Sequence, residues 1–331
     1  MWYNYDRVLS YNALFSFIIG ERGVGKSYGA KKFIINDFIR RGNQFVYLRR
    51  YKTELKNSVP KFFDDLIANN EFEGHTFKVK DNTFYCDNKV MGYAIPLSVA
   101  NILKSTSFAK VKTILFDEFI IDKGTYHYLQ NEVTQLLDVV ETIGRLRDIR
   151  VLFLANAISI TNPYFNYFDL TLPYKSDIKT FKDGLIVVNY IKNEEYRKVK
   201  KESRFGKLIE GTSYGKYAID NEFLRDSKSF VSKKQEDAKH LFILILQNNS
   251  YGVWYSYNSC IMTISKDIDP NCPIRFSLDI DSHNDSTTLI KMRSNTYYKA
   301  IVEAYRNGHL TFESQQIKNN VMEILNKTLT Y

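Results

Sequence analysis

The chain is poor in everything that would brace it covalently or carry it into a membrane. Cys86, Cys260 and Cys272 are its only cysteines in 331 residues. They are too few and too scattered for a disulfide framework or a zinc motif. The five histidines are equally dispersed and suggest no metal centre. No basic region leads into an apolar core at the N-terminus MWYNYDRVLS, and the longest purely apolar runs, such as Leu241 to Leu246, fall far below spanning length. A reducing cytosol and the absence of a membrane partner are the expectation. An excess of acid is missing as well: 46 Lys and Arg against 37 Asp and Glu leave a net charge of +9. That balance suits a polyanion such as nucleic acid, with a generally basic surface as the plainer alternative. The length exceeds what one core usually serves, so two domains are expected.

What the chain does have is GERGVGKS at residues 20 to 27, directly after the apolar run 14 to 19. Gly20, Gly25, Lys26 and Ser27 satisfy G-x-x-x-x-G-K-[ST], and Gly23 and Gly25 supply backbone that a phosphate can approach closely. A helix starting near Lys26 would turn its free N–H groups toward the β-phosphate. Lys26 would reach the β and γ oxygens, and Ser27 would ligate Mg2+. The nucleotide-binding segment is therefore read as Gly20, Glu21, Arg22, Gly23, Val24, Gly25, Lys26, Ser27 and Tyr28.

Strand and helix signals alternate through the first half, which argues a parallel α/β sheet. Residues 15 to 19 and 44 to 50 read as strands, 25 to 41 and 60 to 69 as helices, and 76 to 80, 83 to 86 and 90 to 95 as short strands. The run Thr113-Ile114-Leu115-Phe116-Asp117-Glu118 is an apolar strand ending in two acids, as expected of a Walker B strand. Asp117 would hold the metal through water and Glu118 would polarise the attacking water. A solvated acidic turn is the alternative. After a helix over 131 to 143, the strand 151 to 156 ends in Asn156, a candidate sensor of the γ-phosphate or simply the residue that turns the chain.

Three arginines, Arg145, Arg147 and Arg150, lie on the connection into that strand. A guanidinium offered to a neighbouring copy's site would stabilise the transferring phosphate, and Arg145 is the preferred candidate. A solvated basic turn or a DNA contact competes with that reading. Arg49-Arg50-Tyr51-Lys52 raises the same choice between phosphate sensing across an interface and DNA contact.

Residues 192 to 207 carry seven Lys or Arg against three Glu and read as a connecting subdomain that either tracks a phosphate backbone or is solvated. A second domain is expected from about residue 227, with strands over 239 to 247, 252 to 257 and 261 to 264 and helices over 295 to 306 and 315 to 328. It holds twelve Lys or Arg and ten Asp or Glu, so seven of the nine net positive charges lie on residues 1 to 226. Asp267, Asp269, Asp279, Asp281 and Asp285 gather there, but the leading strand HLFILILQ has no acid and the calcium-loop template fails at Asn284 and Ile290. They read as turn acids without metal.

Together, FIIGERGVGKSY, QFVYLRRYKTEL, YAIPLS, ILFDEF, RVLFLANA followed by TNPYF, RFGKLIEGTSYGKYAIDNEF and EAYRNGHLTFESQQIKN resemble the DNA-packaging ATPase of small tailed phages that prime replication with a terminal protein. The likeness spans nearly the whole chain. It implies an α/β fold in three parts. A P-loop ATPase domain of the additional-strand, catalytic-Glu class covers residues 1–190, and a basic linker subdomain covers 191–226. A smaller α+β domain over 227–331 resembles an RNase H-like nuclease that has lost its chemistry. The resemblance further implies ATP and Mg2+ as cofactors and a homo-oligomeric ring, with five the expected number. That ring would dock on the capsid portal in the host-cell cytoplasm and pump double-stranded DNA into a preformed capsid. In some relatives a packaging RNA joins ring and portal. Carried to this chain, Lys26 and Ser27 match the phosphate loop, Asp117 the metal-site acid and Glu118 the catalytic Glu. Arg145 matches the trans-acting arginine, and Lys52 a basic residue acting across the subunit boundary. A small-molecule P-loop kinase and a nucleotide-stabilised, portal-docked adaptor are the competing readings.

Overall fold

The computed structural model describes residues 3–99, 107–121, 127–156, 162–173, 176–212, 215, 230–246, 249–278, 280, 282–290 and 295–329. The chain divides into two compact units, one of Met1–Ser159 with Leu170–Leu224, the other of Ile160–Asp169 with Arg225–Tyr331.

The first unit is built on a nine-stranded sheet. Its strands are β1 (Phe15–Gly20), β2 (Gln44–Arg49), β3 (Phe77–Lys80), β4 (Thr83–Cys86), β5 (Lys89–Pro96), β6 (Val111–Asp117), β7 (Arg150–Asn156), β8 (Ile178–Phe181) and β9 (Ile186–Ile191), in the order β3-β4-β5-β2-β6-β7-β1-β9-β8. The run from β5 to β9 is parallel, and antiparallel pairs β3/β4, β4/β5 and β8/β9 close both edges. The central strands are apolar almost without interruption because helices cover both faces of such a sheet; β1 and β9 are buried at every position. Strand β7 lies between the strand that leads into the glycine loop and the strand that ends at Asp117. Phe17 stacks on Phe153 of β7 at 4.1 Å, and Phe119 meets both rings edge-on.

Helices of this unit are α1 (Asp6–Leu9), α2 (Lys26–Arg41), α3 (Lys52–Ser58), α4 (Asp64–Ala68), α5 (Glu132–Gly144), α7 (Glu194–Glu202) and α8 (Arg204–Ile209). The expected helix over 60 to 69 is only the five residues of α4, and α3 was not foreseen. Its start is fixed when Glu54 accepts from the Tyr51 backbone N–H at 2.6 Å, a contact that hydrophobic periodicity does not reveal.

Helix α6 (Pro163–Phe168), capped by the Asn162 side chain, belongs to the second unit although it falls between β7 and β8 in sequence. Asn166 donates to Asn320, which donates to the Tyr251 hydroxyl, and Lys266 pairs with Asp169. The second unit's sheet runs β14-β13-β10-β11-β12-β15, from β10 (Lys239–Leu246), β11 (Asn249–Ser256), β12 (Ile261–Ser265), β13 (Arg275–Ser277), β14 (Thr288–Leu289) and β15 (Leu310–Phe312). The meander β10-β11-β12 is antiparallel, and the outer strands join it in parallel. Helices α9 (Thr296–Arg306) and α10 (Gln315–Leu329) follow, with Tyr298, Ile301, Ile317 and Val321 in the core of this unit. Asp267 pairs with Lys234 and Asp269 accepts from the Asn271 N–H, as turn acids do, while Asp279 and Asp281 lie outside the described residues. Most of 213–226 lies outside them as well. Among the described residues no helix is long and apolar enough to cross a membrane.

Candidate functional site

Four neighbouring strands end level with one another. Gly20 of β1 is in register with Asn156 of β7, Asp117 of β6 with Leu154, and Leu48 of β2 with Phe116. Arg49, Asp117, Asn156 and the glycine loop therefore share the carboxyl edge of the sheet, where α/β folds place their ligands.

Between β1 and α2 the backbone takes positive φ at Gly23 (93°) and Gly25 (86°), a conformation side chains disfavour. The loop then turns directly into the sixteen-residue α2, whose first N–H groups have no helical partner. A Cβ at Gly20 would come within 2.7 Å of Ile191 Cβ. The Lys26 ammonium donates to the carbonyls of Gly20 (3.1 Å) and Glu21 (2.6 Å) and to Asn156 Oδ1 (3.2 Å). Ser27 Oγ donates to Asp117 Oδ1 at 3.1 Å. The hydroxyl from the start of α2 and the carboxylate from the end of β6 thus meet at one point, as a shared Mg2+ shell requires. A positive-φ cradle, a helix N-terminus, a buried ammonium and a Ser–Asp pair fit a Mg2+–nucleoside triphosphate.

The cleft here has a volume of about 270 Å³ and is lined by Arg22, Gly23, Gly25, Lys26, Ser27, Tyr28, Asp117, Glu118, Leu154, Ala155 and Asn156. Three residues of the expected nucleotide segment contribute otherwise. Val24 faces the core, Glu21 is buried with its carboxylate on Arg197 at 2.6 Å, and Gly20 closes the strand. Tyr28 lines the cleft while its hydroxyl donates to Glu71 at 2.7 Å. Lys52 stands first in α3 and is exposed. Arg145 follows α5 with φ 50°, also exposed, at the opposite edge of the sheet. It precedes β7, which spans about 20 Å before it ends at Asn156 of the cleft. Arg147 and Arg150 are engaged locally, Arg147 with the carbonyls of Phe108 and Val111, Arg150 with Asn12.

Strand β6 ends at Asp117, and Glu118 leaves it in the left-handed region (φ 59°) with its side chain 59% exposed. Arg49, unassigned between phosphate and DNA from sequence, turns inward. Its guanidinium lies 2.7 Å from Glu118, 3.4 Å from Glu54 and 3.6 Å from Asp117. Burial works against its charge, and Tyr47 with the three acids outweighs that and holds it protonated. Tyr47 donates to Asp117 Oδ2 at 3.4 Å; burial and then the Asp117 charge push its phenol well up. Arg50 is wholly buried. It bonds both oxygens of Glu132 (2.7 and 2.8 Å), the Phe119 carbonyl (2.7 Å) and the Glu118 carbonyl (3.3 Å). The basic run also has an inward use, since Tyr196 of α7 donates to the Arg22 carbonyl at 3.2 Å and Arg197 holds Glu21. The Arg-Arg pair was visible in sequence as a signal without a direction. Arg197 stood out only as part of the basic run, read as phosphate-tracking or solvated, and Glu132 and Tyr196 had no signal of their own.

Arg50→Ala should destabilise the protein by about 3–5 kcal/mol, because Glu132 would be left as a buried, uncompensated charge. Arg50→Met combined with Glu132→Leu should recover most of that stability, yet leave the Glu118 and Phe119 carbonyls without their donor. Denaturant unfolding checks the first statement, and a loss within 1 kcal/mol would contradict it.

Burial brings the Lys26 ammonium down to about 8; Asp117 and Glu21 oppose this and Lys200 adds to it. A bound polyphosphate favours the charged form, so binding above pH 8 must take up a proton. Nucleotide affinity should be level below about pH 8 and then fall by up to tenfold per pH unit. Fluorescent-nucleotide titrations from pH 7 to 9.5 test this, and a level profile throughout would refute it.

The fold and the site define an α/β protein whose mixed sheet carries, at its carboxyl edge, a glycine loop that fits a nucleoside triphosphate. The podovirus DNA encapsidation protein (Gp16) family model matches residues 1–330. The DNA packaging protein of Bacillus phage phi29 is 38% identical over 329 residues, covering 99% of this chain and 98% of that protein. A chain of the bacteriophage phi29 viral genome packaging motor assembly is similar with a TM-score of 0.78 and 37% identity, over 98% of this chain and 99% of that one. The N-terminal domain of the phi29 DNA packaging ATPase aligns with 59% of this chain and 98% of its own length, at TM-score 0.55 and 40% identity. The chain belongs to the podovirus DNA encapsidation protein family and is a phage DNA-packaging protein.

Proposed function

We propose that this chain is the ATP-hydrolysing subunit of a homo-oligomeric ring that drives double-stranded DNA into a preformed capsid. The observation that carries it is the convergence of Lys26, the Ser27–Asp117 pair and Glu118 on one cleft, within a family of packaging proteins. Lys26 and the loop N–H groups would hold the phosphates, Ser27 and Asp117 the Mg2+. When bound, Mg2+ supplies positive charge against the β and γ oxygens. Glu118 would orient the attacking water and draw its proton, while Arg49 and Arg50 fix where that carboxylate sits. Asn156, already on Lys26, would report the γ-phosphate from the intervening strand, whose position supports the additional-strand, catalytic-Glu class.

Arg145 stands at the end of α5, before β7 and away from the cleft lining of its own subunit, which supports its use on a neighbour's nucleotide, with Lys52 as the second residue at that boundary. Residues 227–331 are read as an RNase H-like domain. A central antiparallel meander flanked by parallel strands supports the fold, and a first strand, β10, with no carboxylate supports the loss of cleavage. Five subunits, the capsid portal, a packaging RNA and action in the host-cell cytoplasm on the procapsid follow from the family likeness.

Such a motor must grip phosphates and ignore bases. Affinity for double-stranded DNA should fall linearly on a log–log plot against salt, by about 0.9 per phosphate neutralised, with little sequence preference. Hydrolysis should rise with DNA and with protein concentration. A flat salt dependence would remove the electrostatic grip, and turnover indifferent to both variables would point to a subunit acting alone.

A further inference from the structure

Three metal-ligating side chains meet far along the sheet from the nucleotide cleft. Strand β4 ends at Cys86, and the chain reverses into β5 through Asp87 and Asn88, both in the left-handed region (φ 49° and 61°), as a two-residue hairpin turn requires. His75 stands just before β3, on the other side of the same edge. Its Nδ1 lies 2.7 Å from Asp87 Oδ2 and 3.9 Å from Cys86 Sγ, and Sγ lies 3.8 Å from that same oxygen. Among the described residues this is the one group of three such side chains whose ligand atoms all lie within 4.8 Å.

We propose that His75, Cys86 and Asp87 form a binding site for a thiophilic divalent cation of the zinc type, distinct from the Mg2+ position at Ser27 and Asp117. Thiolate, imidazole and carboxylate suit Zn2+ and are poor partners for Mg2+, which prefers oxygen. Zn–S near 2.3 Å and Zn–N or Zn–O near 2.0–2.2 Å, arranged tetrahedrally, separate the ligand atoms by about 3.3–3.6 Å. The sulfur needs to move by only a few tenths of an ångström and the His–Asp pair to open by about half an ångström. Asp87 is oriented for this. The Thr76 N–H (2.9 Å) and hydroxyl (3.2 Å) both donate to Oδ1, which leaves Oδ2 turned toward His75 and Cys86. Such outer bonds are how proteins aim a carboxylate at a metal. His75 and Asp87 are one-third and 45% exposed, so an ion can enter and a water can complete the shell. The thiolate and carboxylate charges balance a dication. The cation would tie the segment after α4 to the β4–β5 turn.

The test is titration of Co2+ into the full chain in a non-thiol reductant, read by near-ultraviolet thiolate-to-cobalt charge transfer. One saturable equivalent is expected, displaced by one equivalent of Zn2+. Cys86→Ser should abolish the band, while His75→Gln and Asp87→Asn should weaken binding at least tenfold. Their partial exposure makes these two variants safe for folding. Cys260→Ser with Cys272→Ser should change nothing. Co2+ at Ser27 and Asp117 meets only oxygen and gives no such band. Zn2+ should also raise the melting temperature of the wild type but not of Cys86→Ser. No band at millimolar Co2+, a band surviving Cys86→Ser, or unchanged affinity in both exposed-ligand variants would leave His75 and Asp87 an ordinary ion pair and overturn the site.

Discussion

Glu118→Gln should cut steady-state ATP hydrolysis by about two to four orders of magnitude while nucleotide affinity stays within a few-fold of wild type. The amide keeps the shape and the bond-accepting oxygen but cannot take a proton from water. Nothing that would hold the phosphates is altered, because Lys26 bonds Asn156 and Ser27 bonds Asp117, none of them through the Glu118 carboxylate. Arg49 would lose an ionic partner at 2.7 Å but keep Glu54 and Asp117, so the fold should survive. Turnover above one-tenth of wild type would move the base elsewhere. Unchanged assembly with no dependence on turnover would instead favour a nucleotide-stabilised adaptor.

Arg145→Ala should cost about three to five orders of magnitude in turnover if its guanidinium completes a neighbour's site. The side chain is exposed at the end of α5, so folding stability should change by less than about 0.5 kcal/mol. The decisive result is complementation. Glu118→Gln subunits keep Arg145, and Arg145→Ala subunits keep Glu118, so mixing two inactive proteins should restore hydrolysis at those interfaces where both intact residues face one nucleotide. No recovery, in mixtures shown to co-assemble, would refute sharing of the site through Arg145.

The parts legible in sequence were those governed by neighbours along the chain. Apolar runs gave β1, β6 and β7, and the glycine spacing marked the turn between β1 and α2, since both depend on local backbone and side-chain pattern. Short elements set by one polar contact, such as α3 with its Glu54 cap, carried no such period. Helix α6 belongs to the second unit although the chain visits it between two strands of the first, an excursion that strand–helix alternation does not encode.

Residue types and spacing by themselves determined where a nucleoside triphosphate is proposed to bind, because a P-loop needs glycines, a lysine and a hydroxyl within eight consecutive residues. Tertiary structure alone decided which way the remaining charges point. It sent Arg49 to Glu118 and buried Arg50 on Glu132, eighty-two residues away. It left Arg145 facing outward while securing Arg147 and Arg150 at home. It also brought His75 to the adjacent Cys86 and Asp87, where histidines and cysteines had read as dispersed. A long cation costs little in water at any surface position, so its sequence neighbourhood does not fix its direction. Its partner is chosen only when strands from distant parts of the chain end side by side and exclude the solvent that would otherwise screen it.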